Sequence, residues 1–153
     1  MKNLQISEKN ARKLFKTATP EFKQTLIDTF GAEYFSGNIT DQVKTFEDAC
    51  EVLGIDPETI MLHTDSNDTV AYKKLKVIAK ALNEEWAADF DNGSQKKWYP
   101  WFNGGASGFG FSASYYVYGC AATSCGSRLC YKTEALANYA GSQFTSIYKA
   151  FLI

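Results

Sequence analysis

A chain of 153 residues, 45% hydrophobic and 22% charged, has enough apolar material for one compact domain and too little net charge for a disordered one. Sixteen basic side chains against seventeen acidic ones leave a formal charge of −1, which lacks the basic excess of a general polyanion binder. No apolar run approaches the roughly eighteen residues of a membrane span. The N-terminal MKNLQISEKN has no signal-peptide apolar stretch, so the expected location is the cytoplasm, with no membrane partner.

The residues are unevenly spread. Residues 1–97 carry thirteen basic and sixteen acidic side chains, whereas residues 98–153 carry only Arg128, Lys132, Lys149 and Glu134. The second part also holds fourteen of the 23 aromatic residues. A segment so poor in charge cannot stay soluble by itself. The expectation is therefore a single domain over residues 1–153, of the α+β class. About five N-terminal helices (1–97) pack on a small antiparallel sheet of about three strands (98–131), followed by a terminal helix (133–151).

In chain order, Ser7 can cap a short helix with Ala11, Leu14 and Phe15 on one face. Thr19-Pro20-Glu21 starts a second helix with an apolar face of Phe22, Leu26, Ile27 and Phe30, stopped by Gly31. Thr40 opens a third helix through Val43, Phe46, Cys50 and Leu53, closed by Gly54. Asp56-Pro57-Glu58 repeats the start signal for a short turn. The longest helix runs from about Asp68 to Trp86. Beyond the Asp89-Phe90-Asp91-Asn92-Gly93 turn, Trp98–Phe102 reads as an edge strand because of Pro100. Phe109, Phe111, Ala113, Tyr115 and Val117 alternate as the apolar face of a second strand. Ser127–Tyr131 is the third strand, and Thr133 caps the terminal helix.

Catalytic signatures are weak. His63 is the sole histidine, so a Ser or Cys hydrolase would have one candidate base, and no G-x-S-x-G is present. The glycine-rich residues 104–110 lack the Lys-Ser/Thr of a phosphate loop and precede a strand. Cys120, Cys125 and Cys130 stand at C-x4-C-x4-C, looser than a zinc knuckle, and are the only metal-ligating candidates among the cysteines. Carboxylates at Asp65, Asp68, Glu84, Glu85, Asp89 and Asp91 would be needed for a metal-assisted enzyme, the third reading. No cofactor motif occurs, and no catalytic residue is assigned.

A binding surface is the better candidate. Lys96, Lys97, Trp98, Tyr99, Trp101 and Phe102 combine cations with flat rings, as single-strand nucleic-acid binding requires, and Lys73, Lys76 and Lys80 share one face of the long helix. Aromatic residues among few charges also suit a protein–protein contact, with Phe109, Phe111, Tyr115, Tyr116 and Arg128 completing the surface.

Four segments carry a family likeness: Lys44–Gly54, Lys74–Trp86, Lys97–Phe102, and Gly126–Lys132 running into the terminal helix with Tyr139, Gln143 and Phe144. In this order they resemble a group of small uncharacterised proteins of gut Bacteroidetes and their tailed phages and prophages. The resemblance spans about residue 5 to the end and implies a phage or mobile-element accessory or virion protein, with no activity to carry over. The expected function is a non-catalytic binding or structural protein in the host cytoplasm or the virion, contacting another copy or a phage or host protein. Single-strand nucleic-acid binding is the alternative.

Overall fold

Start and stop signals written into the sequence set most of the helical boundaries. The computed structural model describes residues 6, 8–104, 108–118 and 129–153. Helix α1 spans Glu8–Thr17, and its expected cap Ser7 lies outside the described residues. Helix α2 spans Pro20–Phe30; Thr19 Oγ1 accepts the Phe22 amide, and Gly31 ends the helix at φ 87°. Two short helices, α3 (Ala32–Ser36) and α4 (Ile39–Gln42), follow.

The helix expected to run from Thr40 to Leu53 is instead broken after Gln42 and restarts as α5 (Phe46–Leu53). A capping box makes the restart. Asp48 N–H donates to Thr45 Oγ1 at 3.1 Å, and Asp48 Oδ2 accepts the amides of Thr45 and Lys44 at 2.8 and 2.9 Å. Gly54, left-handed at φ 66°, closes α5. Asp56-Pro57-Glu58 yields a 3-10 turn, Pro57–Thr59.

Helix α6 (Asn67–Asn83) buries Leu75, Ile78, Ala79 and Leu82, the face its periodicity marks, but ends three residues before Trp86. Asn83 causes the stop. Its Nδ2 donates to the Cys130 carbonyl at 2.7 Å and its Oδ1 accepts the Lys132 amide at 2.8 Å, fastening the helix end to a segment 47 residues on. The next residue, Glu84, sits at φ 53°, ψ −121°, and Trp86 N–H returns to Asn83 O at 3.0 Å. This is a tight turn of the type that favours glycine at Glu84's position. Among the described residues Glu84 alone combines a side chain beyond hydrogen with positive φ.

Strands β1 (Lys97–Asn103) and β2 (Gly110–Val117) pair antiparallel. The sheet has two strands among the described residues, not the expected three. The third reduces to one bridge, in which Trp98 and Tyr131 exchange both backbone hydrogen bonds at 3.0 and 2.8 Å; Ser127 and Arg128 lie outside the described residues. Pro100 limits the bridge on one side. Two residues beyond Trp98, the same edge meets Pro100, which has no N–H to donate.

The expected terminal helix is two, α7 (Glu134–Gln143) and α8 (Thr145–Leu152), separated at Phe144. Thr145 Oγ1 contacts the carbonyls of Gly141 and Ser142 at 2.6 and 3.0 Å, competing with the helical ladder. Thr133 caps α7 as expected, accepting the Leu136 amide. The core gathers Phe46 of α5, Leu75, Ile78 and Leu82 of α6, Tyr131, and Phe144 and Tyr148 of the C-terminal region. Each such aliphatic side chain contributes about 1.5–3 kcal/mol by leaving water.

Candidate functional site

The register of the two strands decides which rings face the core. Trp98, Pro100 and Phe102 oppose Tyr116, Ser114 and Phe111, while Lys97, Tyr99 and Trp101 oppose Val117, Tyr115 and Ala113. The register shifts between Trp101 and Phe102, leaving Ser112 as an extra residue on β2. This bulge splits the apolar row expected along β2. Phe111 turns inward with Phe102, and Ala113, Tyr115 and Val117 turn outward with Trp101.

The inner face is committed to packing. Gly141 of α7 lies so close to it that an added Cβ would overlap the Phe111 ring and stand 2.9 Å from Pro100 Cβ. Phe102 stacks on Phe109 with centroids 5.0 Å apart and tilts against Tyr148 at 4.7 Å. Trp98, Phe102, Phe109 and Phe111, four of the residues proposed for binding, are therefore half-buried against the helices.

The outer face is open along β2 and at Trp101. Trp101 is 58% exposed, Tyr115 60% and Val117 46%, and the two rings meet edge to face at 5.8 Å. On β1, opposite Val117 and Tyr115, Lys97 and Tyr99 are covered. Lys97, expected beside Lys96 on the surface, is fully buried: its Nζ donates to the carbonyls of Gln95 and Asn92 at 3.0 and 3.3 Å and lies 5.3 Å from the Phe90 ring. Lys97 thus holds the 89–95 turn together and is unavailable to a phosphate. Tyr99 contacts Cys130, and burial pushes its phenol well above the usual range. The Cys130 thiol is also pushed up by burial, against the opposing pull of Tyr99 and Lys97, so it is a poor nucleophile.

Beside the inner face, Tyr116 emerges at the strand end. Its ring lies 4.9 Å from Trp98 and 5.3 Å from the exposed Tyr118, and Lys96 Nζ sits 4.3 Å above it. Arg128, Cys120 and Cys125 lie outside the described residues. The outer edge of β2 pairs with no strand among the described residues, and its sequence, GFSASYYV, contains neither a charge nor a proline.

Other chemical candidates have local employment. Asp89 and Asn92 accept the amides of Asp91 and Ser94, the bonds of Asx turns. Asp65 is tied to Lys73 at 2.6 Å and to the Leu62 amide, and these bonds hold its carboxyl below its usual range. Lys74 and Lys76 stand over the rings of Phe46 and Tyr72. His63 is exposed. Among the described residues no three His, Cys, Asp or Glu side chains gather as a metal site, and no helix is long and apolar enough to cross a membrane.

The expected surface over residues 98–118 includes Val117 and Tyr118, both exposed, but the bulge at Ser112, which no local signal distinguishes, separates Phe111 from the outward row. Comparison with protein-family models, with curated proteins and with solved structures finds no match to this chain.

Proposed function

We propose that this chain is a non-catalytic binding or structural protein of a phage or mobile element, docking another protein through the exposed outer face of its sheet. The observation that carries this reading is the joint exposure of Trp101, Tyr115 and Val117 on one face. Trp101, Tyr115 and Val117 together present on the order of 300 Å² of aromatic and apolar surface, comparable to the largest patch an ordinary monomer shows and including the ring types that anchor interfaces. The uncharged edge of β2 offers backbone donors and acceptors beside these rings. The partner is a protein that adds an extended segment to that edge and apolar side chains to Trp101 and Tyr115. The phage or mobile-element setting rests on the resemblance of the four segments.

The test is association of the full chain with itself and with proteins encoded beside its gene, followed by size exclusion with light scattering. The wild type forms a defined complex, and Trp101→Lys with Tyr115→Lys abolishes it while the fold persists. Absence of any wild-type complex at micromolar concentration, or a complex indifferent to both substitutions, overturns the reading.

A second reading is single-strand nucleic-acid binding at Lys96, Tyr116 and Trp98, supported by the cation and stacked rings at the strand end. It requires oligonucleotide binding that weakens with salt and with Lys96→Gln. Absence of binding at low salt removes it.

A further inference from the structure

Among the described residues β2 pairs with one strand, so one of its edges faces no partner strand. Which of its residues turn their backbone to that edge follows from the bridge on the far side of β1. Trp98 directs its N–H and C=O to Tyr131, away from β2, so the residue opposite it, Tyr116, directs its own pair to the free edge. Two residues along, Ser114 stands opposite Pro100 and does the same.

Ser114 carries the second observation. Its side chain lies on the inner face, 9% exposed, and its buried hydroxyl has no hydrogen-bond partner among the described residues. A buried hydroxyl left alone is costly. Across β1 its same-face neighbour is Pro100, whose ring neither donates nor accepts. The helix packed on both strands, α7, buries Ala137, Ala140 and Gly141, which have no side-chain donor or acceptor. The remaining cross-strand position beside Ser114 is the one over the free edge, and a hydroxyl there completes the bond.

The edge fits one occupant. A two-fold axis sets a strand against itself, so any charge near the axis meets its own like. The sequence GFSASYYV has no charge. With the axis at Ser114, each Ser114 faces the partner's Ser114, one hydroxyl donating to the other, and Tyr115 lies across from the partner's Ala113, a large side chain beside a small one. Such an assembly closes on itself. The outer margin of β1 is taken at Trp98 and lacks a donor at Pro100, so pairing ends at four strands and builds no fibre.

We infer that the strand added to this edge is β2 of a second copy of the chain, antiparallel about a two-fold axis at Ser114. Two backbone hydrogen bonds join the facing Ser114 residues, and their hydroxyls bond across the axis. The inference rests on the docking reading and names its partner.

The experiment sediments the full chain from micromolar to near-millimolar concentration and shows a monomer–dimer equilibrium. Amide exchange of the unaltered chain is a second readout, in which protection at Ser114 and Tyr116 rises with concentration. Ser114→Ala weakens the dimer about two- to tenfold, yet it does not lower the melting temperature of the monomer, where that hydroxyl is unpaired. Facing Ser114 residues place their Cα atoms about 5.5 Å apart, within disulfide range. In a chain carrying Cys120→Ser and Cys125→Ser, Ser114→Cys therefore forms a covalent dimer under a mild oxidant, and Val117→Cys, far from the axis, does not. A chain that stays monomeric overturns the inference; if it still binds another protein through Trp101 and Tyr115, the docking reading survives without it. A dimer in which protection at Ser114 is indifferent to concentration, or in which a folded Ser114→Cys variant does not cross-link, also overturns it.

Discussion

The phenol hydroxyls of Tyr131 and Tyr148 lie 2.9 Å apart inside the core, one from the segment bridged to β1 and the other from α8. Each hydroxyl is the described partner of the other, so the pair pins the C-terminal helix to the sheet side of the molecule. Removing either hydroxyl, as Tyr131→Phe or Tyr148→Phe, strands its partner in an apolar setting and costs about 1–3 kcal/mol. The double substitution costs less than the sum of the two, because no orphan remains. Urea denaturation of the three variants measures the coupling.

The same pair sets an alkaline limit. Burial pushes both phenols above their ordinary value of 10.0, most strongly in Tyr131. Their contribution to stability is whole below pH 10, where folded and unfolded chains are both protonated. Above it the unfolded chain loses protons that the folded chain keeps, so stability falls as pH rises. The denaturation midpoint is expected to decline above about pH 10, less steeply in the double phenylalanine variant.

Gly141→Ala tests the contact between α7 and the sheet. Alanine is better than glycine in a helix by about 1 kcal/mol. Here its methyl would collide with Phe111 and crowd Pro100. The expected outcome is a net loss of about 1–3 kcal/mol, read as a lower melting temperature, with Gly141→Ser at least as damaging.

Asn83→Ala removes both partners of a buried cross-link, leaving the Cys130 carbonyl and Lys132 amide unpaired. A loss on the order of 2–4 kcal/mol follows. Asn83→Asp retains an acceptor for Lys132 but sets a carboxylate oxygen against the Cys130 carbonyl, so it also destabilises. Hydrogen exchange at Lys132 reports the opening directly.

Glu84→Gly relieves the positive-φ turn at the end of α6 and is expected to stabilise the chain by about 1 kcal/mol. Thermal unfolding checks this. A substitution to valine at the same place is expected to lower the melting temperature.

Trp101→Lys and Tyr115→Lys fall on exposed rings, so together they are expected to change stability by about 0.5 kcal/mol or less each. Unchanged melting curves beside altered association would separate a surface role from a structural one.

Much of the helical half was legible because its signals are local: Thr19-Pro20-Glu21, Gly54 and the spacing of Leu75, Ile78 and Leu82 each act within one or two turns. The breaks were harder to see. Thr40 and Thr45 both look like caps, and only the reciprocal bonds of Asp48 decide for Thr45. Asn83 ends α6 through partners almost fifty positions away, which no periodicity records. In the sheet, the alternation of β2 was readable, but the extra residue at Ser112 reverses which rings reach solvent. Lys97 looked like a surface cation because it stands between Lys96 and a run of rings, and its acceptors come from the carbonyls of a turn.

Pro100 and the single Trp98–Tyr131 bridge together close one margin of the ribbon for good, while the margin along Gly110–Val117 has neither a prolyl ring nor a charge to discourage company. Any lateral growth of this small sheet is accordingly one-directional. An added strand must arrive beside β2, and it will lie next to Tyr115 and Val117 whichever molecule supplies it.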